Sequence, residues 1–157
     1  MRSDELRNVG DRVTRVLEQA EMAAEPEAKS DLACFACILT SALIEVACRD
    51  YVTRFVEKRA APAILNFVMR KLYFFQNAKT DDIDDLLRGF DAALANDFAA
   101  RIGPEGKDAI DSVVNNKNQL VHGKGNGLGL DTMRPYHKDV LSALVHLKNI
   151  LTNPIGN

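Results

Sequence analysis

The stretch Leu32-Ala-Cys-Phe-Ala-Cys-Ile-Leu-Thr-Ser-Ala-Leu-Ile44 decides the fold class, because it carries no charged residue. It is apolar nearly all round, which is typical of the central helix of a bundle. A membrane span needs about 20 predominantly apolar residues, and Glu45 and Arg49 interrupt this stretch too early. It therefore predicts a buried helix with other helices packed around it.

The rest of the chain also favours helices, because apolar residues recur at spacings of three and four and rarely alternate with polar ones. We predict an all-α bundle of five to six helices in a single domain over 1–157, with a frayed tail at 152–157. The predicted helices are Asp4–Ala24, one from after Ser30 to Arg59, Ala63–Asn77, one from an N-cap at Thr80 to a stop at Gly103-Pro104, Glu105–His122 and Met133–Leu151.

Composition excludes several classes of protein. The 157 residues carry 20 Lys and Arg against 22 Asp and Glu, a net charge of −2, which excludes a uniformly basic nucleic-acid coat. A hydrophobic share of 46% is enough to bury a core, so the chain is not disordered. It opens on Met-Arg-Ser-Asp without an apolar stretch. We therefore expect no secretory signal, no membrane association and a cytoplasmic location.

The charge is unevenly distributed along the chain. Between positions 117 and 138 there are four cations and one acid, Asp131, whereas positions 81–91 hold five Asp against Arg88. A near-neutral chain with such segments can still form a small cationic cleft, and the segment that would form one holds Lys117, Lys124, Arg134 and Lys138.

The three cysteines do not predict a metal or redox site. Cys34, Cys37 and Cys48 share one helical stripe, and a structural zinc site usually has four ligands. The C-x-x-C pair lies inside a helix rather than at an N-terminus, where a thiolate would be stabilised. We interpret all three as small buried core residues and predict neither a metal nor a cofactor.

Two further features have plain structural interpretations. Glu45 interrupts the most apolar helix, so it is either paired with a structural partner such as Arg49 or a site residue; both interpretations stay open. The loop at Gly123–Gly129 lacks the ending of a P-loop and is interpreted as a flexible connection, in which Lys124 lies where it can reach a phosphate. His137 and His146 are interpreted as ordinary helix residues.

The segment Asn115-Asn-Lys-Asn-Gln-Leu-Val-His-Gly123 is unusual, because it concentrates poor helix formers just before a glycine-rich loop. Asn118 and His122 are four residues apart and face the same way in a helix. Lys117 is displaced from His122 by about 140° around the axis. The segment is either a polar C-terminal helix turn, with Gly123 as the residue after the helix end, or part of a site.

The motif Lys117-Asn118-Gln119-Leu120-Val121-His122-Gly123 resembles the signature of the HEPN superfamily, helical domains common in prokaryotic defence and toxin systems. That signature is an Arg, four to six residues, and then a His, often with Asn after the Arg and Gly after the His. This chain has Lys117 in place of the Arg. The helical layout and Glu45 on a long apolar helix also resemble the bacterial RiboL-PSP-HEPN branch.

The resemblance implies a metal-independent endoribonuclease of a defence or toxin type that acts as a homodimer on RNA. His122 would transfer protons, Lys117 would stabilise phosphate charge, and Asn118 would orient the phosphate or the imidazole. Glu45 and Lys124 are possible supporting residues. An antitoxin or another defence-system protein is a possible further partner.

The substitution of Lys for Arg leaves a second interpretation open. Lysine keeps the charge but loses the planar, bidentate guanidinium. The chain can therefore also be a catalytically weak or inactive dimeric module that binds RNA, a nucleotide or a partner protein. A metalloenzyme bundle is disfavoured, because no helix carries the Glu-x-x-His pair of di-iron bundles.

Overall fold

A computed structural model describes residues 2–125 and 127–154, and only the backbone of residues 2 and 3. The described chain is an all-α bundle without strands, as predicted. Its last helix includes Thr152, the first residue of the predicted frayed tail, and residues 155–157 lie outside the described residues. The six helices are α1 (Arg2–Met22), α2 (Pro26–Glu57), α3 (Pro62–Tyr73), α4 (Thr80–Arg88), α5 (Ala92–Val121) and α6 (Leu130–Thr152).

Helix α2 is the centre of the bundle. It packs against α1, α3, α5 and α6, and 15 of its 32 residues are buried. By length and composition α2 would also qualify as a membrane-crossing helix, since it extends well beyond its uncharged stretch. Its packing on several sides is that of a core helix, and this confirms the burial predicted from Leu32–Ile44.

Two helices begin at a proline, although the predicted bounds leave both prolines outside the helices. Helix α2 starts at Pro26 rather than after Ser30, and α3 starts at Pro62. Proline suits the first helical position, because its fixed φ is helical and its missing N–H has no intrahelical partner there. Helix α3 ends at Tyr73, four residues before the predicted end at Asn77, which leaves a connecting segment at 74–79.

The predicted fourth helix is wrong as a single element. Helix α4 ends at Arg88, and α5 begins after Asp91, whose carboxylate accepts a hydrogen bond from the Ala93 N–H at 2.8 Å. Asp is a strong N-cap residue, so Asp91 starts a new helix. Thr80 is the first residue of α4 rather than its N-cap; the N-cap is Lys79, whose N–H is accepted by Asp82 at 3.0 Å.

The predicted break at Gly103-Pro104 is confirmed as a kink within α5. Gly103 has φ +62° and ψ −171°, a backbone conformation that favours glycine. The second half of α5 then runs to Val121, and α5 as a whole packs against α2, α4 and α6. The polar motif lies on its last turns, and α6 begins at Leu130, three residues before the predicted Met133.

Candidate functional site

The C-terminal end of α5 fixes the backbone around His122. The Gly123 N–H donates to the Leu120 carbonyl at 3.1 Å, and the Lys124 N–H donates to the Gln119 carbonyl at 2.9 Å. This pair of bonds is a Schellman motif, and it requires a left-handed residue, which Gly123 supplies with φ +70°. The prediction that Gly123 follows the helix end is confirmed.

The His122 side chain is exposed at this end of the helix. It makes no hydrogen bond or ion pair with any side chain in residues 4–125 or 127–154. Asn118 is half-buried one turn earlier, and its carbonyl accepts the His122 N–H at 3.3 Å. Lys124 is exposed two residues later. The backbone of His122 is thus fixed, while neither ring nitrogen is occupied by a side chain of the described residues.

Lys117 points to a different part of the molecule. Its ammonium nitrogen donates to the Asn77 side-chain oxygen at 2.6 Å, in the segment that joins α3 to α4. Asn77 is the non-glycine residue with a positive φ, +53°, in the described chain. Its N–H donates to the Glu45 carboxylate at 2.8 Å. Asn77 therefore links Glu45 on α2 to Lys117 on α5.

The same segment is held at one more point, Phe75, and also at Thr80, which directly follows it. Arg49 on α2 donates to the Phe75 carbonyl at 3.5 Å, and Asp111 on α5 accepts the Thr80 N–H at 2.8 Å. We call the 74–79 segment with these contacts the clamped loop. Glu45 also approaches Arg49, at 4.0 Å. Glu45 was interpreted either as a residue with a structural partner or as a site residue, and Asn77 and Arg49 are such structural partners.

The predicted site residues thus form two groups. Lys117 and Glu45 meet through Asn77, whereas His122, Asn118 and Lys124 lie at the end of α5. Helix geometry separates Lys117 from His122 by about 140° around the axis and about 7.5 Å along it. Sequence reasoning missed Asn77. The available signal was weak: Asn tolerates the left-handed conformation, and this one shortly precedes a helix.

The cysteines occupy the interior. Cys37 and Cys48 are fully buried, and burial raises the pKa of each thiol to about 12. Cys34 is half-buried, and burial also raises the pKa of its thiol. The prediction of core residues is confirmed for Cys37 and Cys48. Within residues 4–125 and 127–154, no group of three or more His, Cys, Asp or Glu is placed to hold a metal ion.

His137 is part of the core rather than of the candidate site. It is 8% exposed, and its Nδ1 lies 3.3 Å from the Thr40 hydroxyl. That hydroxyl donates to the Ala36 carbonyl at 2.8 Å, so it accepts from an Nδ1–H of the imidazole. Burial lowers the pKa of His137. His146, on the same helix, is half-buried.

The cations of the segment that could form a cleft contact different elements. Arg134 pairs with Glu21 on α1, whereas Lys117 contacts the clamped loop. Lys124 and Lys138 are exposed. Only part of the positive charge of 117–138 is therefore available near His122.

Comparisons of this chain with models of protein families, with curated proteins and with solved structures find no match. The chemistry of the side chains at the end of α5 is therefore the basis for a function.

Proposed function

We propose that this protein is a metal-independent endoribonuclease of the HEPN type, cytoplasmic and homodimeric, in a defence or toxin system. The observation that supports it best is the His122 imidazole: exposed, without a side-chain partner in the described chain, and fixed at its backbone by a Schellman motif. Asn118 lies one turn before it and Lys124 two residues after it, so an amide and an ammonium lie close to His122 in the sequence.

In the proposed reaction the RNA 2′-oxygen attacks the adjacent phosphorus, and the bond to the 5′-oxygen breaks. One His122 accepts the proton of the 2′-hydroxyl, and the His122 of a second copy donates a proton to the leaving 5′-oxygen. The products are a 2′,3′-cyclic phosphate and a 5′-hydroxyl. DNA is spared, because it has no 2′-hydroxyl.

In the proposed reaction the Lys117 ammonium binds both Asn77 and the phosphate. An ammonium has three N–H donors, and one is engaged. Two remain for a phosphate. Lysine binds phosphate as a point charge, so we expect slower cleavage than an arginine would support.

A second candidate function is a dimeric module that binds RNA, a nucleotide or a protein such as an antitoxin without cleaving it. The bond of 2.6 Å between Lys117 and Asn77 favours it, because that bond gives Lys117 a structural role. In this case His122 contributes to binding at most.

The test is cleavage of single-stranded RNA in EDTA by the wild type, His122→Ala and Lys117→Arg. We expect His122→Ala to lose at least about 100-fold in rate, as is typical for a proton-transfer group, and Lys117→Arg to be faster than the wild type. His146→Ala is the matched control, since it removes a histidine from another helix. Cleavage by His122→Ala at the wild-type rate, or no cleavage by the wild type, would refute the nuclease; RNA binding without cleavage would support the module.

A further inference from the structure

Helix α3 leaves most of its large apolar side chains exposed or only half-buried. Of its 12 residues, only Leu72 is buried, and the helix packs mainly against α2. Phe67 is 60% exposed, and Phe74, which follows the helix, is 77% exposed. Ile64 and Tyr73 are also more than half exposed. Aromatic residues grouped on a surface in this way mark an interaction site.

This surface borders a groove between α3 and α4. The groove has a volume of about 620 Å³, and the clamped loop forms part of its wall through Phe74, Phe75 and Gln76. Phe67 lies on the α3 side, and Phe90, just after α4, lies on the other side. The groove thus offers apolar contact area at its centre and reaches the loop that holds Lys117.

The two lips of the groove carry opposite charge. Lys71 lies on the α3 lip, with its ammonium 5.6 Å from the Phe67 ring centre, and Arg70 is its exposed neighbour. Asp82 and Asp85 lie on the α4 lip. The Asp82 side chain accepts from the Lys79 N–H, whereas the exposed Asp85 side chain has no hydrogen bond or ion pair to a residue in 4–125 or 127–154. Charges on both lips are therefore available for a partner.

We propose that the occupant of this groove is a second copy of the chain. A twofold axis in the interface, parallel to the groove, places the α3 lip of each copy against the α4 lip of the other. Lys71 of each copy then faces Asp85 of the other, and the exposed Phe67 and Phe74 of the two copies pack together. The grooves of the two copies are thus complementary to each other in charge, and both are apolar at the centre.

The same charge pattern argues against a membrane as the occupant. An anionic membrane surface attracts basic segments, and the acidic α4 lip would repel it. The inference deepens the proposed homodimer and rests on that part of the proposed function. Because the clamped loop forms part of the groove wall, this dimer also brings two copies of the loop that holds Lys117 to the interface.

The test reverses one charge on each lip, in Lys71→Glu and Asp85→Lys, and measures molar mass by sedimentation and light scattering over a range of concentrations. We expect the wild type to be dimeric and each reversal to raise the dissociation constant by on the order of 100-fold, because two like-charge pairs form in each dimer. An equimolar mixture of the two variants should form a heterodimer of nearly wild-type affinity. Lys138→Glu and Glu18→Lys, on α6 and α1, are charge-matched controls that should remain dimeric.

Three results would overturn the proposal: a wild type that stays monomeric, reversals that leave the dimer unchanged, or variants that do not pair when mixed. Binding of a monomeric wild type to anionic vesicles would assign the surface to a membrane and also overturn it. Circular dichroism confirms that each variant is folded. A dimer that survives both reversals refutes this surface but not the nuclease, which is judged separately by the His122→Ala assay.

Discussion

The helices α2 and α3 are both rich in apolar residues, yet one is the core of the molecule and the other lies on its surface. In α2 the apolar residues are buried by neighbours on several sides, and Ile44 is fully buried. In α3 the mean composition is similarly apolar, but α2 is its main neighbour and Ile64 is 55% exposed. Apolar composition therefore predicts that a helix packs against other elements. The topology determines whether those elements belong to the same chain or to another one.

The largest expected effect compares these two isoleucines. Ile44→Ala opens a cavity in the centre of the bundle and should lower the free energy of unfolding by about 2–5 kcal/mol. Ile64→Ala removes an exposed side chain and should cost about 0.5 kcal/mol or less in the monomer. Urea unfolding monitored by circular dichroism gives both values.

The concentration dependence of these two losses sharpens the comparison. If α3 packs against a second copy, the loss from Ile64→Ala grows with protein concentration, because dimerisation stabilises the folded chain. The loss from Ile44→Ala should be similar at every concentration. Equal losses from the two variants at low concentration would contradict the difference in burial.

The sequence predicted the fold where a local signal has one physical meaning. The run Leu32–Ile44 is uncharged and too short to span a membrane, which favours a buried helix, and Gly103 before Pro104 favours a break in a helix. Gly123 directly after a polar turn likewise predicted the helix end, and the Schellman motif confirms it. The break at Gly89–Asp91 was missed, because the apolar stripe of α4 continues in phase into α5 and hides the N-cap at Asp91.

The candidate site was less predictable, because its contacts are between distant parts of the chain. The spacing of Lys117 and His122 along a helix was readable, and so was the end of that helix. The contact of Lys117 with Asn77 joins residues 40 positions apart, and no periodicity reports it. For the same reason Glu45 remained ambiguous until Asn77 was seen to bind it.

The clamped loop connects the exposed helix to the core, and Asn77 provides the next largest effect. Asn77→Ala removes the acceptor for Lys117 and places a less tolerant residue at φ +53°, which should cost about 1–2 kcal/mol. Asn77→Gly also loses the acceptor but accepts the positive φ, so its cost should be smaller. Chemical unfolding of both variants measures the difference.

A double-mutant cycle that combines Asn77→Ala with Lys117→Ala tests the interaction between these two side chains. If Lys117 acts on stability mainly through Asn77, the loss from Asn77→Ala combined with Lys117→Ala should be smaller than the sum of the single losses. Additive losses would show that the two side chains act independently and would leave Lys117 free for another role. Equal losses from Asn77→Ala and Asn77→Gly would show that the backbone at this position is unstrained.

The smallest effect concerns the polar interior of the core, where His137 on α6 meets Thr40 on α2. Burial lowers the pKa of His137, so the unfolded chain binds this proton more readily than the folded chain. Its contribution to stability is therefore complete above the unfolded pKa of about 6.5 and is lost as the pH falls through the lower, folded pKa. Between about pH 7.5 and about pH 5.5 we expect a loss on the order of 1 kcal/mol from this group.

The variant His137→Gln isolates this contribution, because glutamine stays polar but does not titrate. The urea midpoint of His137→Gln should fall less between the two pH values than that of the wild type. His146→Gln, on the same helix, should keep the wild-type pH dependence. Equal losses of stability by His137→Gln and the wild type on acidification would show that His137 is not the buried neutral imidazole that its contact with Thr40 indicates. The interface between α2 and α6 would then be open to water, like the exposed surface of α3.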